Sequence, residues 1–104
     1  MKKVTALILV LLLVFSIAGT AFAAYGGIVK VNTYLNVRSR PTTSSSVVGC
    51  LPAGHTVSIT NLNAGNGFYG IYGYMYEWTD GNTFYNGFYG SGYAHQDYFE
   101  LYEY

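Results

Sequence analysis

Apolar and polar side chains alternate in three places in the middle of the chain. Leu35 and Val37 are interleaved with Asn36 and Arg38, so an extended backbone would bury two aliphatic groups and turn an amide and a guanidinium outward. The pattern predicts a half-buried strand. It ends at Pro41, which disfavours the helical region for Arg40, and at the hydroxyl-rich run Thr42 to Ser46, whose side chains favour turns over ladders. A second apolar run, Val47 to Leu51, follows before Pro52-Ala53-Gly54, and Thr56 to Thr60 alternates again around Val57 and Ile59. Tyr25 to Val31 reads as a short strand ahead of all three.

Further along, the alternation becomes aromatic. Asp80-Gly81 signals a two-residue hairpin turn. That turn would pair Thr79 with Asn82, Trp78 with Thr83, Tyr76 with Tyr85, Tyr74 with Gly87 and Tyr72 with Tyr89, all on one face. The other face then carries Ile71, Met75, Phe84 and Phe88, with Phe88 opposite Gly73 and Ile71 opposite Gly90. Phe, Ile and Met have no polar atom to satisfy and belong against a core, whereas Tyr and Trp each carry one polar group that prefers water or a ligand. Tyr72, Tyr74, Tyr76, Trp78, Tyr85 and Tyr89 are therefore the candidate ligand-binding residues, as an exposed platform. Packing of the same rings on one another or on another sheet is the alternative. Aromatic faces over glycines suit a sugar ring, a methyl-ammonium group, or an extended or polyproline-like peptide.

The order Leu-Asn-Val-Arg-Ser, Pro41, a Ser/Thr loop, Val-Val-Gly-x-Leu, then Gly-x-x-Val-x-Ile resembles the opening half of the bacterial SH3-like (SH3b) domain. Gly92-Tyr93-Ala94-His95-Gln96-Asp97-Tyr98-Phe99 is similar to that family's closing strand and short helical turn. The resemblance covers residues 28–101. It departs at Arg40, where the family usually has Gly; a positive φ there would cost about 1 kcal/mol. The family's aromatic residue before its fourth strand corresponds to Phe68 or to Trp78, and either choice leaves an elongated hairpin before Gly92. The fold expected is all-β, a small SH3-like, partly open barrel with an extended Tyr-rich β-hairpin. What the resemblance implies is binding of cell-wall peptidoglycan, through its glycan or its stem peptide, with Asn36 and Arg38 as further contacts.

The pentapeptide Asn66-Gly67-Phe68-Tyr69-Gly70 recurs unchanged as Asn86-Gly87-Phe88-Tyr89-Gly90. With Tyr74-Met75-Tyr76 and Asp80-Gly81, this segment is also similar to a choline-binding aromatic hairpin. Only one such unit fits, and stacked repeats need several neighbours to bury their faces.

At the start, Lys2-Lys3 precede an apolar run from Val4 to Ala18, and Ala21-Phe22-Ala23 offers small residues at a cleavage site. Residues 1–23 read as a signal peptide and 24–104 as the domain, which places the protein outside the cytoplasm, secreted or at the cell envelope, without a stable membrane anchor. The part after Ala23 keeps Lys30, Arg38 and Arg40 against Glu77, Asp80, Asp97, Glu100 and Glu103. This mild acidic excess offers no footprint for nucleic acid. Cys50 is the only cysteine, which rules out an intrachain disulfide; it is expected as a small buried hydrophobe, an intermolecular disulfide being the alternative.

Catalysis finds no assembled group, since nothing in the spacing brings Cys50 to His55 or His95. His95 and Asp97 lack further metal ligands, and no cofactor is expected. Glu100 and Glu103 are expected to be solvated. The reading is a non-catalytic binding module for the cell wall or a peptide, with self-association or a protein partner through the tyrosine face as the alternative.

Overall fold

The computed structural model describes residues 24–104; the expected signal peptide lies outside them. Strands form where the alternation predicts them: β1 Tyr25–Val29, β2 Tyr34–Arg38, β3 Val47–Pro52 and β4 Thr56–Gly65. Two long strands follow, β5 Phe68–Thr79 and β6 Phe84–His95, then a 3-10 turn Gln96–Tyr98 and β7 Phe99–Glu103. All pairings are antiparallel, in the order β3-β2-β6-β5-β4-β1-β7. Single contacts, Arg38 with Tyr93 and Cys50 with Tyr76, bring β2 to β6 and β3 to β5 and curl the sheet into a partly open barrel.

The inward positions of each strand supply the core. Val29, Leu35, Val37, Leu51, Val57, Ile59, Ile71, Met75 and Ala94 form one buried cluster, with Phe88 and Phe99 packed on it. Burying each larger aliphatic side chain contributes about 1.5–3 kcal/mol, enough to fix which face of every strand points inward. Cys50 is buried with them, its Sγ donating to the Tyr76 carbonyl at 3.5 Å. Arg40 keeps a negative φ, so the family's glycine is not needed there.

The β5–β6 hairpin corrects the expected register. Its loop is Asp80–Thr83, four residues rather than two. Asp80 Oδ1 accepts from the backbone N–H of Asn82 at 2.9 Å and of Thr83 at 2.7 Å. Thr79 Oγ1 accepts from Gly81 N and donates to the Thr83 carbonyl. These bonds satisfy the loop's own polar groups, and only Gly81 needs a positive φ. A two-residue turn would require it of Asp80 as well.

The pairing moves by two positions in consequence. Trp78 faces Tyr85 instead of Thr83, Tyr74 faces Tyr89, Tyr76 faces Gly87, and Tyr72 faces Ser91; Phe88 lies opposite Met75, and Ile71 opposite Gly92. An even slip leaves every side chain on its predicted face. Phe84 departs from the expectation in another way: it is half-buried outside the core cluster and lies against Tyr76, ring centroids 5.4 Å apart.

The repeated pentapeptide takes two conformations. Asn66 and Gly67 both have positive φ, 55° and 78°, and close the two-residue turn between β4 and β5. In the second copy Asn86 has φ 56° within β6, but Gly87 does not have a positive φ. Identical local sequence thus makes a turn once and a kinked strand once, because tertiary pairing decides between them.

Candidate functional site

The tyrosines gather where the sheet runs from β6 across to β7. Tyr72 is paired with Ser58, Ser58 with Gly26, and Gly26 with Tyr102, which gives one cross-sheet row whose middle positions are small. Tyr72, Ser58 and Tyr102 of this row line a groove of about 400 Å³. Ser58 and Gly73 line it together with Tyr72, Tyr74 and Tyr89 of the hairpin and Tyr102 and Tyr104 of the chain's end.

The walls are held in place by contacts among themselves. Tyr72 stacks on Tyr89 at 6.4 Å and 23°, and Tyr74 meets Tyr89 edge-on at 5.0 Å. His55 donates from Nε2 to the Tyr74 carbonyl at 2.7 Å. On the far wall Tyr102 lies against Tyr104 at 5.7 Å, and the hydroxyls of Tyr104 and Ser58 meet at 3.3 Å. Glycine is required at position 26, because the Tyr102 ring lies over it and a Cβ there would clash with the hydroxyl end of that ring. Tyr89 is 71% exposed and Tyr72 48%, so the rings present open faces as well as hydroxyl rims.

The six hairpin aromatics therefore do not form one continuous platform. Tyr72, Tyr74 and Tyr89 belong to the groove, and Tyr76 packs between Tyr74 and Phe84. Trp78 and Tyr85 stack on each other at 4.1 Å and 13° near the hairpin end. Strand twist turns Trp78 toward β2 and β3, where it lines a separate groove with Tyr34 and Asn36. Asn36 also borders a third groove of about 360 Å³, with Arg38, Thr43, His95 and Tyr98. There Arg38 Nη1 donates to the Ser45 carbonyl at 2.9 Å, and Ser45 Oγ in turn donates toward the carbonyls of Arg40 and Thr42. Arg38 thus ties down the Ser/Thr loop, while Asn36 stays exposed.

Tyr102, Tyr104 and His55 escape the sequence reading. The signal available was the aromatic alternation of Tyr102 and Tyr104 at the chain's end, but only the pairing of β1 with both β4 and β7 brings it opposite Tyr72. Glu100 and Glu103 are exposed, and Glu100 pairs with Lys30 at 3.0 Å.

The potential nucleophile and the two histidines line three different grooves: Cys50 beside Trp78, His55 among the tyrosines, and His95 beside Arg38. Burial pushes the Cys50 thiol pKa up, away from the reactive thiolate. His95 accepts from the Asp97 N–H at 3.2 Å and so caps the 3-10 turn. Among the described residues no group of three or more His, Cys, Asp or Glu side chains is placed to hold a metal ion.

A sequence model of the family described as "Bacterial SH3 domain" matches residues 33–100. No curated protein matches the chain. The matched span runs from the start of β2 to the beginning of β7 and includes the whole long hairpin.

Proposed function

The chain belongs to the bacterial SH3 domain family, and from that premise we propose that it is an exported, non-catalytic module that binds cell-wall peptidoglycan, with the glycan lying in the tyrosine groove. The observation that carries this reading is the groove itself: Tyr72, Tyr74 and Tyr89 on one side and Tyr102 and Tyr104 on the other, with Ser58 between them. A sugar ring has apolar C–H faces and equatorial hydroxyls. Open tyrosine faces receive the first, and the rims of Tyr72, Tyr104 and Ser58 can hydrogen-bond the second. The groove's volume of about 400 Å³ falls in the ~300–1,000 Å³ range of ligand clefts.

The test is co-sedimentation of the protein with purified insoluble sacculi, beside a Tyr72→Ala, Tyr102→Ala variant. Loss of two central aromatic contacts should lower retention at least about tenfold, on the scale of interface hot spots. Unchanged retention by a folded variant would remove the groove from the account.

A second reading, association with another protein or with a second copy, is favoured by one feature. β7 is an edge strand, with unpaired backbone on one side and Leu101, Tyr102 and Tyr104 exposed along it. Light scattering behind size exclusion would show concentration-dependent mass if this edge pairs, and a constant monomer mass if it does not.

A further inference from the structure

β7 is the last strand of the sheet, and the hydrogen bonds of β1 show which of its backbone groups are free. Val29 N donates to the His55 carbonyl, so the odd-numbered residues of β1 turn their peptide groups toward β4. Lys30 N donates to the Tyr98 carbonyl and Tyr104 N to the Ala24 carbonyl, so the even-numbered residues bond β7. Along β7 it is then Phe99, Leu101 and Glu103 whose peptide groups point outward. The Phe99 N–H closes the 3-10 turn on the Gln96 carbonyl. That leaves the Phe99 carbonyl and both groups of Leu101 and Glu103 without a strand partner among the described residues.

The devices that commonly keep an edge from pairing are missing here. Phe99-Glu100-Leu101-Tyr102-Glu103 contains no Pro and no Lys. Glu100 bonds Lys30 at 3.0 Å, and the Tyr102 ring lies over Gly26, so both side chains lean back over β1 and leave the edge open. At the other end of the sheet, β3 is partly covered by β5 through Cys50 and Tyr76.

We propose that β7 pairs antiparallel with β7 of a second copy, with Leu101 opposite Leu101. Charge selects this register. A two-fold pairing centred on Glu100 or on Glu103 sets like carboxylates directly opposite each other. Centring on Phe99 wastes the pair, because its N–H is already bonded. Centring on Tyr102 puts the two Glu103 on a diagonal, about 7–8 Å apart. Centring on Leu101 puts Glu103 opposite Phe99, and the two Glu103 are then about 14 Å apart along the strand, beyond a Debye length of ~10 Å. The two Glu100 lie on a diagonal in this register, but each keeps its Lys30. Leu101 exchanges both backbone bonds with its counterpart, and the Phe99 carbonyl accepts from the opposite Glu103 N–H. The two Leu101 side chains, each 40% exposed in the single chain, cover each other.

Paired strands keep their faces in step, so Tyr102 and Tyr104 of both copies lie on one side of the joined sheet. Both tyrosine grooves open on that side, an arrangement that lets one polymer chain be held at two points. The inference rests on the association reading given above, narrows its partner to a second copy, and stands whatever the groove binds.

Light scattering of the protein should show a mass rising from one chain toward two between about 10 µM and 1 mM, because one short strand makes a contact smaller than the ~1,200 Å² of stable complexes. Leu101→Cys is oxidised beside Glu103→Cys, a likewise exposed position on the same face, the native Cys50 being buried. Leu101→Cys should give a disulfide-linked dimer, since the Cα atoms of a hydrogen-bonded pair lie ~5.5 Å apart, inside the ~4.4–6.8 Å range of disulfides. Glu103→Cys, at about 14 Å, should not. Leu101→Pro should abolish the rise in mass, because proline is tolerated where the N–H faces out of the sheet and removes a bond made only between copies. A constant monomer mass overturns the proposal together with the self-association reading. A rise in mass with cross-linking at Glu103 equal to that at Leu101 overturns this register and leaves association standing. An unchanged rise in folded Leu101→Pro shows that the copies meet elsewhere, and the cysteine pair decides the register whatever that variant does to folding.

Discussion

Met75→Ala should unfasten the long hairpin from the barrel. Met75 is fully buried in the middle of β5, opposite Phe88 of β6. Its Sδ lies 2.7 Å from where a Cβ on Gly49 of β3 would stand, and its Cε is 3.7 Å from the corresponding point on Gly90. One flexible side chain thus fills the space left by two glycines and joins three strands. Met→Ala in a core costs about 2–5 kcal/mol, with the larger values where neighbours cannot collapse into the cavity. Glycines have no side chain to move in, so a cost of about 3–5 kcal/mol is expected. A domain of this size has only ~4–12 kcal/mol in total. Each kcal/mol shifts Tm by about 4–8 °C in small domains, which makes the drop at least about 12 °C. Urea unfolding followed by Trp78 fluorescence and by far-UV circular dichroism measures the loss. Met75→Leu, nearly equal in volume, should stay within about 1.5 kcal/mol of the parent. A loss below about 1 kcal/mol for Met75→Ala would refute the packing argument.

Three further outcomes are expected. Asn86→Ala places a residue that tolerates the left-handed region less well than Asn at a positive φ and removes the bond to Glu77, so it should lose about 1–2 kcal/mol in urea unfolding while Asn86→Gly loses less; equal losses would contradict the strain argument. The backbone N–H groups of Thr83 and then Asn82 hold Asp80 below its ordinary pKa. The folded loop therefore favours the carboxylate, and its support is present above the unfolded pKa and lost as pH falls through the folded one. The NMR ring signals of Trp78 and Tyr85 should shift only in acid, below the usual aspartate range of ~3.9, and Asp80→Asn should abolish that transition. Burial of Cys50 predicts slow reaction with a thiol reagent in the native protein and fast reaction in urea; rapid native labelling would show the strand around it to be open.

Much of the fold was legible because alternation is a strong local signal. Leu35 with Val37 and Val57 with Ile59 mark inward faces that the structure keeps. The hairpin's faces were legible for the same reason, although its register was not. The side-chain bonds of Asp80 and Thr79 set the loop length, and nothing in an Asp-Gly pair reveals them. Asn66-Gly67 carried an equally strong turn signal that the aromatic repeat obscured. Half of the candidate site could be read from the alternating Tyr72, Tyr74 and Tyr89. The other half could not, because Tyr102 reaches the groove through two strand pairings distant in sequence. Trp78 shares its parity with those tyrosines but not their groove, since twist and the β3 contact redirect the end of β5.

The central claim is that wall glycan lies in the tyrosine groove, and backbone amide NMR on titration with a soluble peptidoglycan disaccharide fragment tests it most directly. The account predicts shifts concentrated on the row Tyr72, Ser58, Gly26 and Tyr102 and on neighbouring Tyr74 and Tyr89, saturating together. Shifts centred instead on Asn36, Arg38 and His95, or no saturable shifts at all, would contradict it.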